Sequence, residues 1–304
     1  MSERLLELSK DIAALVKGAA PSVVRVDGHR CGSSSGIVWG VEGLVLTAYH
    51  GIEGEDEVSV GLSSGETIKA ELVGCDPTTD LAVLRVKATG LPAAELVDRP
   101  LEVGELVLCV TRPGRGPKVG LGIVSRLGEG FRTTGGGKVD RYIELGFALH
   151  HGFSGGLVLD LSGGGLGLGT AGLVRDTPLA VPAATLRRIV KAILLHGGVR
   201  RGYLGVASIP VRLPSAAAEQ IGQTSGLLIT AVEEDSPAGR AGVAVGDLML
   251  AVDGAAVSHL SDLMPLLEEE RIGGLARAKL WRGGQPLEVA LTVGARGGRG
   301  KGEP

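Results

Sequence analysis

Along the first twenty residues, Leu5, Leu8, Ile12, Leu15 and Val16 recur among charged neighbours at intervals of three and four. That spacing sets them on one stripe of a helix, so the chain is expected to open with a short amphipathic helix over residues 1–20. Pro21 and Ser22 stop it, and the pattern changes to short β-like runs. These are Val23 to Val26, Ser35 to Trp39, Leu44 to Thr47, Glu57 to Leu62, Ile68 to Val73 and Leu81 to Val86. They continue with Leu106 to Val110, Gly122 to Leu127, Tyr142 to Leu145, Gly156 to Leu159 and Thr170 to Val174. Runs this short, with turn residues between them, predict a mainly β fold, a barrel or sandwich rather than alternating α/β. A second helix opens at Pro182, presents Leu186, Ile189, Val190, Ile193 and Leu194 on one face, and stops at His196-Gly197-Gly198.

The same pattern divides the chain. A first β domain is expected over 21–196, a linker over 197–201 and a second β-rich domain over 202–293. Helical stretches in the second domain fall near Pro237 to Ala241 and Ser261 to Glu269, the latter interrupted by Pro265. Residues 294–304, rich in Gly and Arg, are expected to be a disordered tail.

Composition sharpens this picture at three points. The 304 residues leave room for two cores, and 51 glycines with only 3% aromatic content suit strands joined by tight turns. A net charge of −3 gives no field to attract nucleic acid or an anionic membrane, which leaves proteins and peptides as partners. Cys31, Cys75 and Cys109 are odd in number and lack a C-x-x-C spacing, against a disulfide framework or a structural zinc site. No metal and no cofactor are expected. Glu3, Arg4, Glu7, Lys10 and Asp11 interrupt the start where an export signal needs an apolar stretch. No run approaches the roughly 20 apolar residues of a membrane span. The sequence as written therefore reads as cytoplasmic, with a periplasmic or extracytoplasmic location as the alternative if the true start lies upstream.

Three segments carry chemistry together. Val45-Leu46-Thr47-Ala48-Tyr49-His50 runs a strand into a histidine, and Asp76-Pro77-Thr78-Thr79-Asp80 feeds an aspartate into an apolar strand. Gly152-Phe153-Ser154-Gly155-Gly156 holds a serine between glycines. Acyl transfer from a serine needs a base within hydrogen-bond reach, and that base needs a carboxylate to fix its tautomer. Glycines allow the sharp turn that points backbone N–H groups at a developing oxyanion, and the donors named are those of Gly152 and Ser154. Alone, each residue has an ordinary structural explanation. The chain order His50, Asp80, Ser154, within a β-rich chain, is that of the chymotrypsin arrangement.

These segments resemble the protease domain of the HtrA/Deg family, as does Ser22-Val23-Val24-Arg25-Val26. The second half resembles it through Val199-Arg200-Arg201-Gly202-Tyr203-Leu204-Gly205-Val206 and Val245-Gly246-Asp247-Leu248-Met249-Leu250-Ala251-Val252-Asp253-Gly254. The resemblance implies a chymotrypsin-like double β-barrel followed by one PDZ domain. It implies a serine endopeptidase acting on unfolded or damaged proteins without ATP or metal, and a homotrimer. Departures are present. The family's loop reads Asn-Pro-Gly-Asn-Ser-Gly-Gly-Pro, whereas this chain has His150-His151-Gly152-Phe153-Ser154-Gly155-Gly156-Leu157, which sets a bulky ring beside the nucleophile. Gly146 stands where the family has an aspartate, and the turn Val174 to Pro178 is short. The rival expectation is an inactive relative that holds unfolded chains.

Further residues follow from that frame. The S1 pocket is expected from Ala148, Leu149, Thr170, Ala171 and Leu173, none of them a carboxylate. Gly202, Tyr203, Leu204, Gly205 and Val206 resemble the PDZ loop that holds a C-terminal carboxylate, with Leu260 and Leu263 on the opposite wall. His150-His151 has no acidic or cysteine partner at ligand spacing, and reads as a cleft-lining loop rather than a metal site. The glycine run Gly163 to Gly169 continues as strand rather than helix, which rejects a nucleotide loop.

Overall fold

The apolar runs of the first domain lack polar alternates because both strand faces are covered. In the strand around Val45, the side chains of Leu44 and Leu46 join one buried cluster and Val45 another. Leu108 and Val110 likewise separate from Val107 and Cys109. One face fills a barrel and the other packs against the second barrel and a helix. A computed structural model describes residues 2–28, 32–40, 42–148, 150–175, 177–213 and 215–296.

The first barrel comprises β1 (Val23–Gly28), β2 (Gly32–Gly40), β3 (Leu44–Ala48), β4 (Val58–Gly61), β5 (Thr67–Asp76) and β6 (Leu81–Val86). It closes in the order β1-β2-β3-β6-β5-β4. β7 (Leu106–Thr111) and β8 (Lys118–Gly128) begin the second, followed by a small hairpin of β9 (Phe131–Arg132) and β10 (Lys138–Val139). Then β11 (Tyr142–Leu145), β12 (Leu157–Asp160), β13 (Gly165–Val174) and β14 (Thr177–Pro182) complete the closed order β11-β14-β13-β12-β7-β8. Two helices accompany the barrels, α1 (Ser2–Ala19) and α2 (Ala183–His196). α2 buries Leu186, Ile189, Val190 and Ile193 against the barrel junction, each worth about 1.5–3 kcal/mol of burial. Only the second half of the α1 stripe packs: Ile12, Leu15 and Val16 meet the core, while Leu5 is 66% exposed.

The chain divides into two compact units between Val199 and Arg200. The second contains β15 (Arg201–Tyr203), β16 (Val206–Arg212), α3 (Ser215–Ile221), β17 (Ser225–Val232), α4 (Pro237–Arg240), β18 (Leu248–Val252) and β19 (Ala255–Ala256). It ends with α5 (Leu260–Leu263), β20 (Leu275–Arg282), β21 (Gln285–Thr292) and β22 (Gly294–Arg296). Its main sheet runs β16-β17-β18-β20-β21 over a core that includes Leu227, Met249, Leu280 and Leu291. Pro265 ends α5 early, and a 3₁₀ turn, Met264–Leu267, continues the segment.

Two boundary expectations are corrected here. Arg201, expected in the linker, and Gly294 to Arg296, expected in the tail, form the antiparallel pair β15–β22. The Arg296 guanidinium lies 4.7 Å from the Tyr203 ring centroid, a cation–π contact that favours order there. The remainder of the tail lies outside the described residues. Cys75 is half-buried and free. Cys109 is buried and free, with burial pushing its thiol up to about 12.

Candidate active site

Strand register brings the first two candidates together. β3 and β6 are antiparallel with Ala48 opposite Leu81, so the residues just after β3 and just before β6 emerge at the same barrel end. His50 lies in a 3₁₀ turn, Tyr49–Gly51, that follows β3. Asp80 leaves a second 3₁₀ turn, Pro77–Thr79, that Asp76 caps. The Asp76 carboxylate accepts hydrogen bonds from Thr78 N at 3.2 Å, Thr78 Oγ1 at 2.7 Å and Thr79 Oγ1 at 2.7 Å. Asp80 has φ of +56°, a left-handed conformation that Asp tolerates better than most residues.

The buried Asp80 carboxylate then meets His50 twice. Its Oδ1 accepts from His50 N at 2.9 Å, and its Oδ2 lies 2.8 Å from His50 Nδ1. With Nδ1 donating to the carboxylate, Nε2 carries the free lone pair. The hydrogen bond to Asp80 raises the imidazole pKa. It outweighs burial, which acts in the opposite direction, and the Asp80 and Glu53 charges add to the rise. The ring remains 43% exposed, open to a reacting partner.

The second barrel supplies the rest. β12 and β13 pair with Leu157 opposite Leu168, which carries Ser154 and Ala171 toward each other beyond the ladder. Ser154 Oγ accepts from Ala171 N at 3.4 Å, a long bond that leaves the serine's own proton uncommitted. Thr170, next in line, donates its hydroxyl to Asp80 Oδ2, and Gly172 N donates to Thr170 Oγ1 at 2.9 Å. Thr170 therefore ties the carboxylate of one barrel to the strand beside Ser154 in the other. A Cβ at Gly172 would lie 2.5 Å from Asp80 Oδ2 and 2.6 Å from His50 Nδ1, so only glycine fits there. The Ser154 loop turns at Gly152, φ +85°, and Gly155, φ +88°. Gly155 passes so near β2 that a Cβ would overlap the Ser35 carbonyl oxygen. Among the described residues, neither Gly152 N nor Ser154 N has an acceptor within the protein.

The S1 candidates separate. Ala148 and Ala171 are exposed, Leu173 is half-buried against the inter-barrel core, and Leu149 lies outside the described residues. Thr170 is not a pocket wall: it is buried with its hydroxyl on Asp80. Phe153 also departs from expectation. Its side chain is 4% exposed and turns into the second barrel's core, near Phe147 and Gly120, rather than toward the nucleophile. An apolar ring gains more from that cluster than from an open cleft. His150 meets the Phe153 ring edge-on, with centroids 5.9 Å apart. The residues that sequence reading missed, Thr170 in its contact with Asp80 and Gly172, carry no local motif.

Two known families match the two halves of the chain. The trypsin-like peptidase domain family matches residues 34–168, and the PDZ domain family matches residues 202–293. A solved HtrA-type protease, AlgW with tripeptide, is 31% identical, covers 93% of this chain and 97% of its own, and has a TM-score of 0.71. The chain belongs to the HtrA-type proteases. A serine endoprotease from Yersinia pestis, 27% identical, superposes with a TM-score of 0.72 over 93% of this chain and 97% of its own. A probable periplasmic serine endoprotease, DegP-like, from Brucella suis is 34% identical over 273 residues, and one from Halomonas elongata is 34% identical over 267. Each match takes in 86% of this chain. The chain spans 52% and 56% of those two proteins' lengths.

In this HtrA-type chain the PDZ domain presents β16 as the edge strand of its sheet, a free edge of the kind to which an extended peptide can add. The preceding loop is held from behind. Leu204 O accepts from Ala238 N at 2.8 Å and Gly205 O from Glu233 N at 2.9 Å. Tyr203 donates its hydroxyl to Glu233. Of the expected groove residues, Leu260 is 42% exposed, whereas Leu204 and Leu263 are buried in the PDZ core. Their side chains support the loop and α5 from inside rather than facing a ligand.

Proposed function

We propose that this HtrA-type chain is a serine endopeptidase in which Ser154 attacks the peptide carbonyl, His50 takes and returns the proton, and Asp80 orients His50. The observation that carries the reading is the double hydrogen bond of Asp80 to the His50 ring and backbone, with Thr170 joining the same carboxylate to the strand beside Ser154. It fixes the tautomer that leaves Nε2 free to accept the Ser154 proton and stabilises the imidazolium that follows. Ser154 Oγ, then bonded to the acyl carbon, leaves the Gly152 and Ser154 amides to receive the oxyanion. Proton return to the leaving amine and attack by water regenerate the serine. Apo geometry commonly leaves the serine–histidine bond to form with substrate, so its absence among the described contacts is compatible with activity.

Substrates of this reading are peptides and unfolded proteins, with the PDZ edge holding a peptide's free C-terminus. The solved HtrA-type protease AlgW with decapeptide or tripeptide supports that class. A role in protein quality control and a homotrimer belong to the same proposal. The DegP-like relatives are probable periplasmic proteases, which supports the extracytoplasmic alternative for this chain over the cytoplasmic one. Among the described residues no helix is long and apolar enough to cross a membrane.

The test is Ser154→Ala. Casein hydrolysis is expected to fall by up to about a millionfold if chemistry limits the wild type. Fluorophosphonate labelling should vanish with it while the circular dichroism spectrum stays the same. Equal turnover by mutant and wild type removes the triad assignment. A wild type that ignores the probe and cleaves nothing points to the binding-protein rival.

A further inference from the structure

Ser35 lies in β2 with none of its surface exposed, and each of its polar groups is committed. Its N–H donates to Ser154 O at 3.1 Å, and its carbonyl accepts from Thr47 Oγ1 at 2.7 Å. Its Oγ accepts from Arg112 N at 2.9 Å and lies 2.7 Å from Gly152 O, 117 residues away in sequence. A hydroxyl has one proton. Because the Arg112 amide occupies a lone pair of Oγ, that proton is directed to the Gly152 carbonyl.

The Gly152–Phe153 peptide is thereby held at both ends, since Phe153 N donates to His150 O at 3.0 Å. This matters because Gly152, at φ +85°, has many other conformations open to it, and each would turn its N–H elsewhere. Phe153 O, held by Gly156 N at 3.0 Å, fixes the next peptide and with it the direction of Ser154 N–H. Arg112 is itself anchored. It is 5% exposed, and its guanidinium donates to Val23 O at 2.7 Å, Ala20 O at 2.8 Å and Arg115 O at 3.1 Å. Among the described residues it meets carbonyls and no carboxylate, and burial lowers its pKa. A cation buried on carbonyls alone is costly unless all of those bonds are kept, which holds the residue in one place.

We propose that Ser35 is a positioning residue for the oxyanion-binding loop. Held by the Arg112 amide, its hydroxyl locks the Gly152 carbonyl and so aims the Gly152 N–H at the oxyanion. Arg112 extends the same support to the junction of α1 and β1. The inference rests on the protease reading above and adds a residue outside the triad.

The experiment compares Ser35→Ala and Ser35→Cys with wild type on a peptide substrate. Ser35→Ala is expected to lower kcat about 100-fold, the scale of losing one oxyanion donor. KM should change less than threefold, and the acid limb of the pH profile should not move, because His50 and Asp80 are untouched. Affinity for a peptide boronate should fall in parallel with kcat/KM. Ser35→Cys keeps the shape but offers a weak donor, and about tenfold loss is expected. The cysteine variant carries the test if the alanine variant does not fold. Wild-type kcat in a folded variant overturns the proposal and leaves the protease reading intact. So does a loss accompanied by a shifted acid limb or a KM raised in proportion, which would show general loosening. A wild type without fluorophosphonate reactivity overturns the protease reading, and this one with it.

Discussion

At the residue scale, His50 makes the chemistry readable by pH. Its hydrogen bond to Asp80 raises its pKa above the ordinary value of about 6.5. A base works only when neutral, so kcat/KM should rise with pH through that elevated pKa, with the midpoint of the acid limb above about 6.5. Rates from pH 5 to 9 on one peptide substrate measure it, and a midpoint below 6.5 contradicts the coupling. Stability runs with the opposite sign. A raised folded-state pKa means that protonated His50 stabilises the fold fully below about pH 6.5, and this contribution is lost as pH rises through the folded pKa. Compared with wild type, His50→Ala should therefore lose more stability at pH 5.5 than at pH 9 in denaturant titrations.

At the element scale, β8 and the serine loop determine where Phe153 goes. β8 turns Gly120 and Gly122 inward, and the missing side chains make room for Phe147 and Phe153, while Val119, Leu121 and Ile123 point outward. Phe153→Ala should leave a cavity and lower stability by about 3–5 kcal/mol. Chemical denaturation tests this, and a loss below 1 kcal/mol would return the ring to the cleft. The bulky ring expected beside the nucleophile therefore plays no part in cleavage specificity. Specificity is instead argued from charge. None of Ala148, Ala171 and Leu173 can neutralise a buried Lys or Arg, whereas an aliphatic chain gains roughly 0.8 kcal/mol per buried CH₂. Cuts mapped by mass spectrometry in an unfolded protein should follow Val, Ala, Ile or Leu. Cuts mainly after Lys and Arg would show the pocket is elsewhere.

At the scale of the whole molecule, the two units have separate cores. If the Gly202 to Val206 backbone receives a carboxylate, amidating a peptide's C-terminus removes the anion that the loop attracts. The Ser154→Ala chain should bind a peptide with an apolar free C-terminus at least tenfold more tightly than its amide by isothermal titration. Equal affinities would place peptide recognition on the strand edge alone.

The sequence by itself determined whatever depends on near neighbours. Apolar spacing marked α1, α2 and most strands of the first domain. Pro265 marked the early end of α5, and the His50, Asp80 and Ser154 segments declared themselves by their local glycines, turns and apolar flanks. Only the tertiary structure decided what joins those segments. Thr170 reaches Asp80 across 90 residues, and Ser35 reaches Gly152 across 117. Both read in sequence as ordinary strand residues, because a hydroxyl in a β run has no local signature of its eventual partner. The same holds for Phe153, whose place depends on two glycines more than thirty residues earlier, and for β22, whose order depends on pairing with β15. Barrel closure and strand register bring such groups together, and the cost of leaving buried polar groups unpaired selects the arrangement in which they meet.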